Sequence, residues 1–118
     1  MRFDHERLDV YRAALGFVVI SSRLVEELPP GHGYIADQLR RAALSITLNT
    51  AEGAGEFAPA EKAGFYRMAK RSATECAAIL DVLRELAVGD PAKIEDGHER
   101  LFKIVSMHIK LCKSLENS

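Results

Sequence analysis

His108 and Cys112 stand four residues apart near the C-terminal end of the chain, and Cys76 lies in another apolar helical stretch. On a helix, that spacing puts an imidazole and a thiol on one face, where both could reach the same metal ion. A zinc site needs three or four protein ligands, however, and di-iron bundles use repeated Glu-x-x-His motifs. Only Glu95 and His98, in "EDGHER", have that separation, once and at a helix start. The sequence therefore predicts no metal site and no cofactor. "AEGAGE" offers Gly53 and Gly55, but they follow a helical stretch, not a strand, so they end a helix and do not cradle phosphate. With no GxSxG elbow and no nucleophile beside a base, no catalytic residue is expected, and the chain reads as non-enzymatic. His5 and His32 are isolated in segments expected at the surface.

The more telling polar residues lie in "QLRRAALSITLNTAEGAGE", residues 38–56. Ile35, Leu39, Ala42, Ile46, Asn49 and Gly53 recur at alternating spacings of four and three, which is the seam of a helix in a bundle. Asn49 falls on that seam, Ser45 and Glu52 flank it, and Ser72 and Glu75 occupy the matching stripe of the next helix. A buried polar group without a partner costs about 1–3 kcal/mol. These five side chains are therefore expected to satisfy one another as a structural network that fixes register and partner number.

Two further features bear on partners. Arg40 and Arg41 on one helix, with Arg67, Lys70 and Arg71 on the next, could form a basic strip for a nucleic acid. That is the alternative function, a ribonucleoprotein accessory factor. Against it, acidic residues are interspersed on the same helices, 17 Asp and Glu outnumber 16 Lys and Arg, and the net charge is -1. Such a mixed face is usually only solvated. The second feature is surplus apolar surface. Leu44, Leu48 and Ala51 form a line turned away from the seam, and Phe17, Val18, Val19 and Ile20 broaden another helix. Phe17, Val18, Ile20, Leu44 and Leu48 are accordingly the candidate interface of a homo-oligomer.

The elements that carry these residues are all helical. Helix one is expected over about Leu8–Leu28, with Val10, Ala14, Phe17, Ser21, Leu24 and Leu28 inward, and it stops at Pro29-Pro30. Helix two begins near Tyr34 or Ile35 and ends where Gly53 and Gly55 allow positive φ. Helix three opens at Pro59 and runs to about Ala87 through Phe65, Met68, Ser72, Cys76, Ile79, Leu83 and Leu86. Asp90-Pro91 caps helix four, whose inward stripe is Leu101, Val105, His108, Cys112 and Leu115. Short loops favour an antiparallel up-down-up-down four-helix bundle. A length of 118 residues implies one domain, 1–118. Two cysteines without CxxC spacing read as reduced, buried thiols, and no apolar run reaches the length of a leader or membrane span, so a cytoplasmic protein is expected.

"LDVYRAA" at Leu8–Ala14, Pro29, "QLRRAALSITLNTAEG" at Gln38–Gly53 and "FYRMAKRSATE" at Phe65–Glu75 together resemble the family of 23S rRNA intervening-sequence proteins. The most specific part is Gln38, Arg41, Ala42, Ser45, Ile46, Asn49, Ala51, Glu52 and Gly53, with Ser72 and Glu75 as counterparts on helix three. The resemblance implies a four-helix bundle assembled as a ring-like homopentamer with no assigned activity, and such a ring is expected to receive an unknown protein partner. A related branch, the accessory variability determinants of diversity-generating retroelements, binds nucleic acid through a strongly basic pentamer. This chain departs from that branch in being nearly neutral, and Thr50 stands where an Ile is commoner in the family motif.

Overall fold

The structure, a computed structural model, describes residues 2–116. Met1, Asn117 and Ser118, the ends of the expected 1–118 domain, lie outside the described residues. A 3₁₀ turn, Asp4–Arg7, leads into α1 (Asp9–Glu26), α2 (Gly33–Gly55), α3 (Pro59–Glu85) and α4 (Pro91–Glu116). The punctuation follows the sequence closely. Pro59 sits in the first turn of α3, where its missing N–H costs nothing. The Ala92 N–H donates to Asp90 Oδ1 at 2.9 Å, capping α4. Between them, α3 ends on Ala87 at φ 56°, with the Val88 N–H returning to the Leu83 carbonyl at 3.1 Å. That is a left-handed helix end usually given to glycine.

Each helix packs on two others: α1 on α2 and α4, and α3 on α2 and α4. Among the described residues the diagonal pairs, α1 with α3 and α2 with α4, bring no Cα atoms within 8 Å. The four helices thus surround a single core, in which Phe17, Leu24, Leu39, Ile46, Leu80, Leu83, Leu101 and Ile104 are almost wholly enclosed. Among the described residues no helix is long and apolar enough to cross a membrane.

The inward stripe of α1 is as its spacing predicts, except that Leu28 is half-buried beyond the helix end. Phe17 is only 1% exposed, so it is a core residue and not the interface residue expected of it. Val18 and Ile20 are half-buried beside it. In α2 the seam holds from Ile35 to Ile46 and then turns: Thr50 is fully enclosed, whereas Asn49 is half-buried at the edge. The α3 stripe is rotated from the expected one. Tyr66, Ala69, Ala73, Cys76, Leu80 and Leu83 face inward, Phe65, Ser72 and Ile79 are half-buried, and Met68 and Leu86 are exposed. Small residues take the centre of α3 because α2 lies too close for long ones. In α4, Leu101 and His108 are inward as expected, Ile94, Gly97 and Ile104 complete the face, and Val105, Cys112 and Leu115 are half-buried.

Gly53 shows how close the approach is. Neither Gly53 nor Gly55 has the positive φ expected of them. Gly53 is instead inside the last turn of α2, where an added Cβ would lie 2.7 Å from Tyr66 Cε1. Its role is to admit the tyrosine ring. Gly97 does the same for Leu80, whose Cδ1 would be 2.9 Å from a new Cβ.

Two substitutions separate these roles. Ala87→Gly removes a left-handed non-glycine residue and is expected to stabilise the fold by about 0.5–1 kcal/mol, after allowing for the looser unfolded chain. Gly53→Ala forces the buried Tyr66 ring to move and is expected to cost about 1–3 kcal/mol. Thermal and urea melts of both variants check the opposite signs.

Candidate functional site

The polar residues flagged in the sequence do meet where α2 faces α3. The Ser45 and Ser72 hydroxyls are 2.9 Å apart, and the Asn49 amide nitrogen donates to both the carbonyl and the hydroxyl oxygen of Ser45 at 3.0 Å. Glu75 joins through a residue from the family motif: Gln38 Nε2 donates to Glu75 Oε2 at 2.6 Å. Glu52 is exposed and has no hydrogen bond in this set, so it is outside the network expected to include it. The network lies along the rim of the contact, with Ser45, Asn49 and Ser72 half-buried and Gln38 and Glu75 exposed, and hydrogen bonds of this kind contribute about 0.5–1.5 kcal/mol each. It spans α2 and α3 like a row of stitches, from Gln38–Glu75 through Ser45–Ser72 to the Gly53–Tyr66 approach.

The fully enclosed polar contact is a different one. Thr50 on α2 and His108 on α4, each 0% exposed, are joined by Thr50 Oγ1 and His108 Nε2 at 2.9 Å. Among the described residues these two helices bring no Cα atoms within 8 Å, so this bond crosses the bundle diagonally. Thr50 Oγ1 also donates to the Ile46 carbonyl at 2.7 Å. With the single hydroxyl proton given to Ile46, the Thr50 oxygen accepts from His108 Nε2–H, and this pairing goes with the Nε2–H tautomer. Nδ1 then carries a lone pair and is a buried atom without a hydrogen-bond partner. The Ile104 carbonyl beside it is an acceptor and could bond only to a protonated Nδ1. Burial lowers the His108 pKa from 6.5 to about 4, partly offset by that carbonyl. Tyr66 lies alongside, its ring centroid 6.1 Å from that of His108.

Sequence spacing placed His108 inward but could not name its partner. The signal that could have found it is Thr50 itself, a hydroxyl on the stripe of Ile46 and Leu39. The metal-ligand alternative for His108 and Cys112 finds no third ligand, since no group of three or more His, Cys, Asp or Glu among the described residues could hold a metal ion. Cys76 is buried, with its thiol pushed up to about 12 by desolvation. Cys112 is half-buried, and both thiols are free. Glu95 reaches Arg84 and His98 reaches Asp81, so each pairs with α3 and not with the other.

The five basic residues do not converge. Arg40 is drawn to Asp37 at 3.4 Å. Arg67 and Lys70 both act on the Cys112 thiol, which places them on the α4 side of α3. At about 100° per residue they lie roughly 140–160° round the helix from Ser72, which faces α2. Arg41 and Arg71 are exposed, Arg71 one turn from Arg67 on α3. Arg67 and Lys70 therefore lie off the α2–α3 boundary where the strip is expected. The apolar residues of α2 behave differently: Leu44 is 51% and Leu48 52% exposed, one turn apart on the outward face, with Ala51 half-buried beside them.

A family profile described as 23S rRNA-intervening sequence protein matches residues 6–110. None of the curated proteins compared matches the chain.

The diagonal bond makes two measurable demands. Thr50→Val leaves His108 Nε2–H buried without an acceptor and is expected to cost about 1–3 kcal/mol, whereas Thr50→Ile combined with His108→Leu removes both partners and is expected to cost less than Thr50→Val alone. Because the folded-state pKa of His108 is depressed to about 4, the unfolded chain binds the extra proton between about pH 6.5 and 4. The stability contributed by neutral His108 is thus complete above pH 6.5 and is lost as pH falls towards 4, by up to about 3 kcal/mol. Urea melts from pH 4 to 8 are expected to show this slope in the wild type and not in His108→Leu.

Proposed function

Because the chain belongs to the 23S rRNA-intervening sequence protein family, we propose that it is a non-enzymatic, self-assembling bundle whose copies close into a ring-like homopentamer in the cytoplasm and together receive a further protein. The observation that carries this reading is the outward face of α2, where Leu44 and Leu48 remain half-exposed among the described residues. Large aliphatic side chains in register on one helix face are what a second copy would cover, at about 25 cal/mol per Å² of apolar surface removed from water.

The bundle itself is read as up-down-up-down. The start of α2 pairs with the later part of α3 through Gln38–Glu75, and the end of α2 with the start of α3 through Gly53–Tyr66. The late residue Cys112 of α4 lies by Ala63 near the start of α3. A head-to-tail contact between such bundles generates a ring when the rotation closes. The non-enzymatic reading is supported by His108, the imidazole with the strongly shifted pKa, being sealed in the core away from any substrate. The cytoplasmic reading is supported by two unpaired thiols. The dispersed basic residues and the net charge of -1 favour a protein over a nucleic acid as the partner.

Light scattering on the purified chain at micromolar concentration is expected to give five times the 13.0 kDa chain mass, and a single-chain mass would overturn the reading. Leu44→Lys with Leu48→Lys is expected to lower that mass while leaving the far-ultraviolet helical signal intact, since both side chains already face water in the single chain.

A further inference from the structure

Phe57 is 97% exposed, the most exposed of the large apolar side chains. It sits in the turn between α2 and α3, held there by a well-built base. Lys62 Nζ donates to the carbonyls of Gly53 and Ala54 at 3.2 and 2.8 Å, tying the start of α3 to the end of α2. Phe65 and Met68 line a hollow of about 410 Å³ just behind the turn, together with Glu56 and Glu61. The turn is thus an aromatic knob with an acidic collar. Glu56 is held above the usual carboxylate range, chiefly by hydrogen bonding with Glu61 and only partly offset by Lys62, so the two carboxylates stand close together.

On the opposite flank of the molecule is a groove of about 440 Å³ between the start of α1 and the end of α4. Leu8, Val10, Met107 and Leu111 form its apolar lining, and Arg7 and Lys110 stand on its rim. Asp9 also borders it, but its carboxylate is bound to Arg12 at 2.6 Å. Neither Arg7 nor Lys110 has an ion-pair partner among the described residues. Knob and groove lie at the same end of the bundle. The 3₁₀ turn before α1 packs on α2, and Cys112 Sγ lies by the Ala63 carbonyl near the start of α3. They lie on opposite sides, because α1 and α4 form one edge of the four-helix cycle and α2 and α3 the other.

We infer that Phe57 of one copy seats in the groove lined by Leu8, Met107 and Leu111 of the next copy, with Glu56 and Glu61 set against Arg7 and Lys110. This contact rests on the assembly reading above and specifies its geometry. A donor and an acceptor at equal height on opposite sides of a rigid bundle cannot both be satisfied by one partner. The contact is therefore head-to-tail, the type that closes into a ring or runs on as a fibre. One aromatic side chain removes roughly 150–250 Å² from water, against about 800 Å² per partner in a standard interface. Phe57 is thus the anchor of a wider contact, the central kind of residue whose truncation costs most.

The test uses full-length chains: wild type, Phe57→Asp, and Arg7→Glu with Lys110→Glu. All substituted positions are exposed, and circular dichroism confirms that each variant remains helical. Each variant alone is expected to lose assembly, with apparent affinity weakened by roughly thirtyfold or more. An equimolar mixture retains one intact contact, the knob of the double variant in the groove of Phe57→Asp, and is expected to give a 1:1 dimer and nothing larger. Retention of the wild-type mass by either variant, or a mixture that stays monomeric, would overturn the contact while an assembled wild type keeps the broader reading. A wild type of single-chain mass at every concentration would remove both.

Discussion

The close approach of α2 to α3 governs the rest of this fold. Helix separation depends on the side chains at the contact, and here they are small: Ala42, Ser45 and Gly53 on one helix, Ala69, Ser72 and Ala73 on the other. Gly53 admits the Tyr66 ring at a distance no side chain could tolerate. At this spacing the hydroxyls of Ser45 and Ser72 reach each other directly, and Asn49 braces Ser45 from one turn away. A longer residue in any of these places would push the helices apart and undo the others. The polar seam is therefore less a pocket than a measure of distance, and it holds register through hydrogen bonds that a shifted pairing would lose.

That spacing also decides where the polar core can sit. With α2 and α3 tight, α4 closes the bundle so that His108 reaches across to Thr50, joining helices that lie diagonally opposite in the bundle. The bond is a demanding one. It requires a neutral imidazole in a defined tautomer, with the other ring nitrogen left without a donor. A threonine with a matching histidine thus replaces what could have been an aliphatic contact, and the arrangement disfavours alternative packings in which either group would be stranded. Specificity of packing is gained at some expense of stability in acid.

With the interior so arranged, the molecule's surface is asymmetric. One side carries the Phe57 turn and its carboxylates, and the other carries an apolar groove with two cations. Half-exposed leucines line the back of α2. Charge is mixed elsewhere, with arginines next to acids three or four residues away. The self-assembly proposed for this chain needs no large net charge and no deep pocket. It needs complementary patches set at one height, which the shared end of the four helices supplies.

The sequence alone determined the helices and most of their limits, because prolines, glycines and Asp90 act locally and their effects do not depend on the neighbours. It also determined the inward stripes of α1 and of α2 as far as Ile46, where one apolar face stands out at helical period. It named the Ser45, Asn49, Ser72 group correctly as partners. Only the tertiary structure decided which way α3 turns, since Phe65, Met68 and Ile79 make one apolar stripe and Tyr66, Ala69 and Ala73 another, and the choice depends on how near α2 comes. The same holds for Gly53, which reads as a helix end in sequence and is a packing contact in space. It holds for Phe17, whose apolar run could face either way, and for Thr50 and His108, whose 58-residue separation gives no local sign that they meet. Local chemistry sets the elements, whereas the distance between elements, to which every helix contributes, sets which residues share an interior.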